Sequence, residues 1–354
     1  VKKVDYILVG FGIAGVTLAE SLLQRGKTFV VYDDAAKGAT TASGGVLNPT
    51  VLKRFTAAWN ASEFFETAIP FYSQLSDRLN ASLINTTTIH RIFNSIEEQN
   101  NWMVASDKKE LSQYLASEIT SNQNPAINAP FGLGAVKEGA MLQPKELIEK
   151  FRAYLKDREL LRIGQLDFNA LQVTSNDIRY QDISAANIIF SQGASVVNNP
   201  FFKLSVSPKD DRVFVGNKGE YVLFKAPALQ LNEVLKGPVM IIPLDDHLYK
   251  VGASYSRDDF SEETTIRAKE EILQKLKKMI SCNFEVVGQV AGVRPTVIDR
   301  KPLLGGFDDT LPVYFMNGLG TRGLSMAPLL STWLLDFIEK KTVLPKEVDV
   351  KRFY

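Results

Sequence analysis

Gly10, Gly12 and Gly15 stand at the spacing G-x-G-x-x-G, with Ile13 and Ala14 between the last two. The chemistry open to such a motif belongs to the main chain, whose amides can close on a diphosphate. Gly10 would permit a tight turn, Gly12 would let the backbone approach a pyrophosphate, and Gly15 would let a helix pack on its strand. The phosphates would then lie at the positive end of that helix. Asp33 follows Gly10 by 23 residues, with Asp34 next to it. A carboxylate there can accept hydrogen bonds from ribose hydroxyls and would repel a ribose phosphate, which disfavours NADP. The motif is common to NAD and FAD.

Two further stretches are small and rich in donors. Residues 38–45, Gly-Ala-Thr-Thr-Ala-Ser-Gly-Gly, include Thr41, Ala42, Ser43 and Gly44. Such a loop can wrap a phosphate or the edge of a flat ring; it also reads as a plain surface loop. Residues 317–324 contain Gly320, Thr321, Arg322, Gly323 and Leu324 and lead into a helical stretch. Amides at a helix start create positive potential. Aimed at the pyrimidine edge of a reduced flavin, they would stabilise its negative charge. The alternative is a loop that serves packing alone.

These groups need elements to position them. Residues 4–9 form an apolar β run, Val16, Leu18, Ala19, Leu22 and Leu23 recur at helical spacing up to Gly26, and residues 28–32 form a second β run. Residues 35–50 read as a long loop, 57–80 and 145–155 as helices, and 120–140 as a polar connector with two prolines and three glycines. A short strand at 186–190 runs into Ser191-Gln192-Gly193. Strands follow at 221–225, 239–242, 248–254 and 284–290, with Asp245-Asp246 as a hairpin turn and one helix over 266–280. A strand at 313–316, the glycine loop and a helix over 327–339 close the chain. The fold class is α/β, α+β overall. The nucleotide pattern at one end and its echo at the other predict domains assembled from separate chain segments.

Composition narrows the function. Over 354 residues, 41 basic against 40 acidic side chains leave a net charge of +1, so no strong field favours nucleic acid or membrane. The single cysteine, Cys282, excludes an intramolecular disulfide framework and a cysteine zinc site. His90 and His247 fall outside every motif, and no metal is expected. No uncharged apolar run is long enough to span a membrane. The early β run argues against a signal peptide, so a cytoplasmic protein is expected.

Four blocks together resemble the FAD-dependent D-amino-acid oxidase and glycine oxidase family. They are the glycine motif with Asp33, the loop Ala42-Ser43-Gly44-Gly45, the run Ala291-Gly292-Val293-Arg294-Pro295, and the terminal glycine loop with its helix. Residues 251–259 and 318–324 are similar to the oxidase half of the bifunctional tRNA 5-methylaminomethyl-2-thiouridine biosynthesis protein.

The resemblance implies a Rossmann-like FAD-binding domain from residues 1–80, 141–200 and 291–354. Interleaved with it would be a mixed or antiparallel sheet domain for substrate, from 81–140 and 201–290. It implies non-covalent FAD, held by the glycine motif, Asp33, Asp34, the 41–44 loop, Gly193 and residues 320–324. The substrate would be a small amine carrying a carboxylate, oxidised by hydride transfer with dioxygen as acceptor. Arg294 matches the arginine that clamps that carboxylate, and a guanidinium fork suits the task. Lys250 matches a lysine that promotes dioxygen reduction in sarcosine oxidases. Arg322 would hold a carboxylate or balance flavin charge, or would be structural. Tyr255 would position substrate, or would simply line the wall. Met240 stands where glycine oxidases place a tyrosine, which argues against free glycine. Transfer RNA is a second possible partner, disfavoured by the net charge. A non-catalytic FAD-binding protein is the third reading.

Overall fold

The computed structural model describes residues 1–205 and 212–353. Strand Lys2–Val9 lies at the centre of the first sheet. It pairs in parallel with Phe29–Asp33 on one side and with Ile183–Phe190 on the other. Leu161–Ile163 and Val313–Asn317 extend the parallel array outwards. Ile7, Leu8, Val30, Val31, Ile188 and Ile189 are fully buried, as expected of parallel strands covered on both faces. Helices Ile13–Gln24, Ala61–Leu79 and Gly323–Lys340 pack together on one face, through Leu18, Leu22, Tyr72, Leu330 and Leu334.

The last helix begins four residues before the predicted start. Pro328 reads as a breaker in sequence because it lacks the amide that would bond to the Leu324 carbonyl. The buried Tyr72 hydroxyl donates to that carbonyl at 2.7 Å, so the helix runs through the proline with its acceptor satisfied.

The second sheet is mixed and ten-stranded. Phe214–Lys225 pairs antiparallel with Glu285–Val297 along most of its length and with Leu248–Gly252 on the other side. Met240–Pro243, Val234–Lys236, Ile84–Ile92 and Leu133–Leu142 continue the sheet outwards. Helix Ile266–Leu276 covers one face, setting Ile272 and Leu276 against Val222, Phe224 and Val251. The opposite face looks towards the first sheet.

Several expectations are corrected. Residues 120–140 hold the start of strand Leu133–Leu142, not a simple connector. Its glycines are packing residues: a Cβ on Gly134 would lie 2.6 Å from Phe93 and 2.7 Å from Trp102. The 35–50 loop contains a short helix, Gly38–Ala42, and the strand Val46–Leu47. Two segments cross the expected domain division. Val46–Leu47 and the end of Glu285–Val297, including Arg294, belong to the second sheet.

Candidate active site

A cleft of about 680 Å³ separates the two sheets, within the usual range for a ligand site. Its first wall is the glycine turn. Gly10 has φ +96°, and a Cβ on Gly15 would lie 2.1 Å from the Gly10 carbonyl oxygen, so strand, turn and helix meet only with glycine at both places. Gly12 faces open space, where a Cβ would meet only Thr40 Oγ1 at 3.4 Å. That cradle of bare backbone fits a diphosphate. Ile13 and Ala14 border it.

Asp33 ends its strand at 4% exposure, and Arg152 of helix Pro144–Lys156 reaches it. Arg152 Nε and Nη2 lie 2.8 and 2.7 Å from Asp33 Oδ2. Burial pushes the Asp33 carboxyl up from the ordinary range, and the guanidinium opposes this. Arg152 was invisible in sequence, since nothing in its own helix marks it. Asp34 borders the same end of the cleft and caps its own turn through the Ala36 amide at 3.0 Å.

The loop after Asp33 lies flat on the second sheet because Gly292 lacks a side chain. A Cβ there would be 2.9 Å from Ala42 Cβ. Thr40, rather than Thr41, reaches the glycine motif, its Oγ1 accepting from the Ile13 amide at 2.9 Å. The Thr41 hydroxyl turns back to the Lys37 and Gly38 carbonyls. Lys250 Nζ donates to the Ser43 carbonyl at 2.8 Å. Burial holds its pKa down to about 8. Lys250 is absent from the cleft lining and lies beneath the loop. Gly44 presses against Ile242, where a Cβ would sit 2.2 Å from Cδ1.

The terminal loop closes the other side. Asn317 Nδ2 donates to the Gly193 carbonyl at 3.0 Å, and the Gly320 amide to Pro295 at 2.8 Å. Arg322 caps the start of the last helix. Its guanidinium donates to the Asn48 and Thr50 carbonyls at 2.6 and 2.9 Å, which gives it a bracing role. Thr321, Gly323 and Leu324 line the cleft beside it.

Arg294 lies within its strand, paired with Asn217, not at a strand end. Its guanidinium rests over Gly219, where a Cβ would be 2.1 Å from Nη2 and 2.4 Å from Cζ. Nη1 is buried with no hydrogen-bond partner, as is the Asn217 Oδ1 atom. An unpartnered cationic donor bordering a cleft is a site for an anion. Tyr221 and Met240 line the wall beside it, and Tyr255, 56% exposed, stands at the mouth. Neither Cys282 nor either histidine borders the cleft.

A glycine-turn cradle, a buried acid at the end of the second strand and an arginine facing the gap between two sheets meet in one cleft. The chain belongs to the DAO family of FAD dependent oxidoreductases, whose profile matches residues 5–336. Its cofactor is FAD, held by non-covalent contacts.

The chain is 25% identical to the tRNA 5-methylaminomethyl-2-thiouridine biosynthesis bifunctional protein MnmC of Marinobacter nauticus, over 98% of its own length and 58% of that protein. It therefore spans little more than half of that relative. It is 22% identical to the glycine oxidase of Bacillus subtilis, covering 97% of this chain and 95% of that one. The crystal structure of glycine oxidase from Geobacillus kaustophilus superposes with a TM-score of 0.78 at 16% identity, over 100% of this chain and 98% of the other. No helix among the described residues is long and apolar enough to cross a membrane.

Proposed function

We propose that the protein oxidises the C–N bond of a small amine whose reacting carbon carries a carboxylate, such as an amino acid or an N-substituted glycine. The observation that carries this reading is Arg294, with a buried Nη1 that has no partner and a guanidinium placed over Gly219. Arg294 would take the carboxylate in a two-pronged contact and so fix the direction in which the C–H bond points. Bound FAD would supply the two-electron acceptor for that C–H bond, with dioxygen taking the electrons on. Tyr221 and Met240 would exclude water from the reacting carbon. Lys250 acts on this chemistry by holding the 42–44 loop, and Arg322 by tying the terminal loop to residues 48–50.

FAD would be held by Gly10, Gly12, Ile13, Ala14, Gly15, Asp33, Asp34, Thr41, Ala42, Ser43, Gly44, Gly193 and residues 320–324, with Thr40 and Arg152 added. The FAD-binding body would comprise 1–80, 141–200 and 291–354, apart from the two crossing strands, and 81–140 with 201–290 the substrate body.

The decisive experiment is anaerobic addition of N-methylglycine and related N-substituted glycines to the holoprotein. Bleaching of the flavin bands is expected, with Arg294→Ala raising the half-saturating concentration at least tenfold. Bleaching that is indifferent to Arg294 would overturn the reading.

One observation favours a modified tRNA nucleoside as an alternative substrate. Lys53 and Arg54 are exposed at the tip of the 50–57 hairpin, and Lys53 borders the cleft. Loss of tRNA binding in a Lys53→Glu, Arg54→Glu variant would support that substrate; absence of binding by the wild type at low salt would exclude it.

A further inference from the structure

Two unsatisfied polar atoms lie on neighbouring strands of the second sheet. Arg294 Nη1 is buried with no hydrogen-bond partner, and so is Asn217 Oδ1. One is a cationic donor and the other a neutral acceptor. Asn217 is 2% exposed and does not line the cleft, although Arg294 and Gly219 do. Reading Arg294 as a carboxylate clamp leaves this asparagine without a task. A buried amide oxygen is unfavourable unless it is paired, so its presence calls for a donor.

The register of the sheet brings the two residues together. Asn217 is the direct cross-strand partner of Arg294, in a ladder that runs without irregularity from Phe214 to Leu223. Directly opposed side chains share one face, with Cβ atoms about 5 Å apart. Gly219 is two residues along from Asn217 and lies on that face too. The Arg294 stem therefore starts opposite Asn217 and slants to set its guanidinium over Gly219, where a Cβ would be 2.4 Å from both Cζ and Nη1. Same-face positions along a strand are about 6.8 Å apart, and an asparagine oxygen reaches about 2.4 Å past its own Cβ. A turn about the broad terminal torsion of Asn217 thus brings acceptor and donor within hydrogen-bonding reach. Other groups near Asn217 are spent or hydrated. Lys218 and Glu220 point to the opposite face, where Lys218 Nζ bonds Ser261 at 2.9 Å and Glu220 accepts from the Thr265 amide and hydroxyl at 2.8 and 2.9 Å. Arg257, the cross-strand neighbour of Asn217 on its other side, is exposed to water.

We infer that Asn217 is a positioning residue for Arg294: its Oδ1 accepts one N–H of Nη1 and fixes the plane of the guanidinium, while the N–H groups that face the cleft take the carboxylate. Both contacts can exist at once, because each Nη carries a pair of N–H groups and a two-pronged carboxylate takes only one from each nitrogen it touches. A neutral acceptor suits the task, since it orients the cation without cancelling the charge that draws the substrate. This deepens the reading of Arg294 as the carboxylate site and rests on it.

Binding alone tests it. The holoprotein is titrated with (methylthio)acetate, a carboxylate with no amine to oxidise, and the flavin absorbance change gives the dissociation constant. Asn217→Leu should raise that constant about tenfold, the scale of one hydrogen bond to a charged group. Asn217→Asp should raise it about a hundredfold, because it sets an ionised carboxylate against the guanidinium in competition with the ligand. A role in packing alone predicts wild-type affinity for that isosteric change. In an Arg294→Ala background, Asn217→Leu should alter the constant by less than about twofold, since a residue that acts through another adds nothing once that other is gone. Wild-type affinity in either single variant would overturn the inference, and so would an equal effect of Asn217→Leu with and without Arg294. The Arg294 reading is judged separately: affinity that withstands Arg294→Ala, or no binding by wild type, would overturn both.

Discussion

Gly219→Ala is the sharpest perturbation of the substrate site, because it adds one carbon and removes no functional group. Gly219 does not have a positive φ, so alanine suits its backbone. The added Cβ would lie 2.1 Å from Arg294 Nη2 and 2.4 Å from both Cζ and Nη1, whereas ordinary contact begins at 3.4 Å. The guanidinium must therefore retreat by about 1 Å or swing away. A misplacement of that size costs on the order of a hundredfold in a reaction that depends on alignment. Loss of one charge-assisted hydrogen bond, about 1.5–3 kcal/mol, gives a similar figure. The expected result is a fall in kcat/KM of ten- to a hundredfold for an N-substituted glycine, carried mainly by KM, with FAD content and thermal stability close to wild type. The assay pairs peroxide production with the ratio of flavin to protein absorbance. Wild-type KM in this variant would refute the reasoning, since it would mean that the guanidinium does not hold substrate from its place over Gly219. An equal loss of flavin would also count against it, by showing that the damage spreads beyond the carboxylate site.

Further outcomes follow from other contacts. Asp33→Asn should weaken FAD retention about tenfold, measured by flavin release on dilution, because it removes the charged partner of Arg152 and the anionic acceptor at the ribose end. Tyr72→Phe should cost about 1 kcal/mol and lower Tm by about 1–2 °C in calorimetry, as it orphans the Leu324 carbonyl that Pro328 cannot serve. Lys250→Met should loosen the loop at Ser43 and slow the reaction with dioxygen, measured by stopped-flow reoxidation. The pH dependence of the apoprotein has a defined sign. Lys236 and Lys250 both titrate near 8 when folded, below the ordinary lysine range, so between there and about 10 the unfolded chain binds more protons and stability rises with pH. Below about 8 both states are protonated and these lysines give no slope. Above about 10 the buried Tyr6, held protonated by burial and by Glu339, opposes the rise. Denaturant midpoints at pH 7.5, 9 and 10 should show the gain, and the double variant Lys236→Met, Lys250→Met should lose it.

The parts of the site that could be read in the sequence are those in which chemistry and backbone requirement coincide. The turn at Gly10, Gly12 and Gly15, the acid at the end of the second strand, and the terminal strand, loop and helix are each local, so spacing alone locates them. Arg294 needed the surrounding motif, because an isolated arginine in a strand carries no mark of function. Arg152, Thr40 and Gly219 were not legible. Arg152 and Thr40 reach the site across elements far apart in the chain. Gly219 matters only because a guanidinium from another strand lies on it. The fold shows the same division. The βαβ opening is set by local periodicity, whereas Leu133–Leu142 was obscured by glycines whose purpose is contact with Phe93 and Trp102.

Three of the side chains that brace the cleft grip main-chain oxygens. Lys250 holds Ser43, Arg322 holds Asn48 and Thr50, and Asn317 holds Gly193. A carbonyl is present whatever residue supplies it. The gripped positions can therefore change type without loosening the frame, while the three gripping residues cannot. A chain built in this way can vary freely around its cofactor while its cleft keeps one shape.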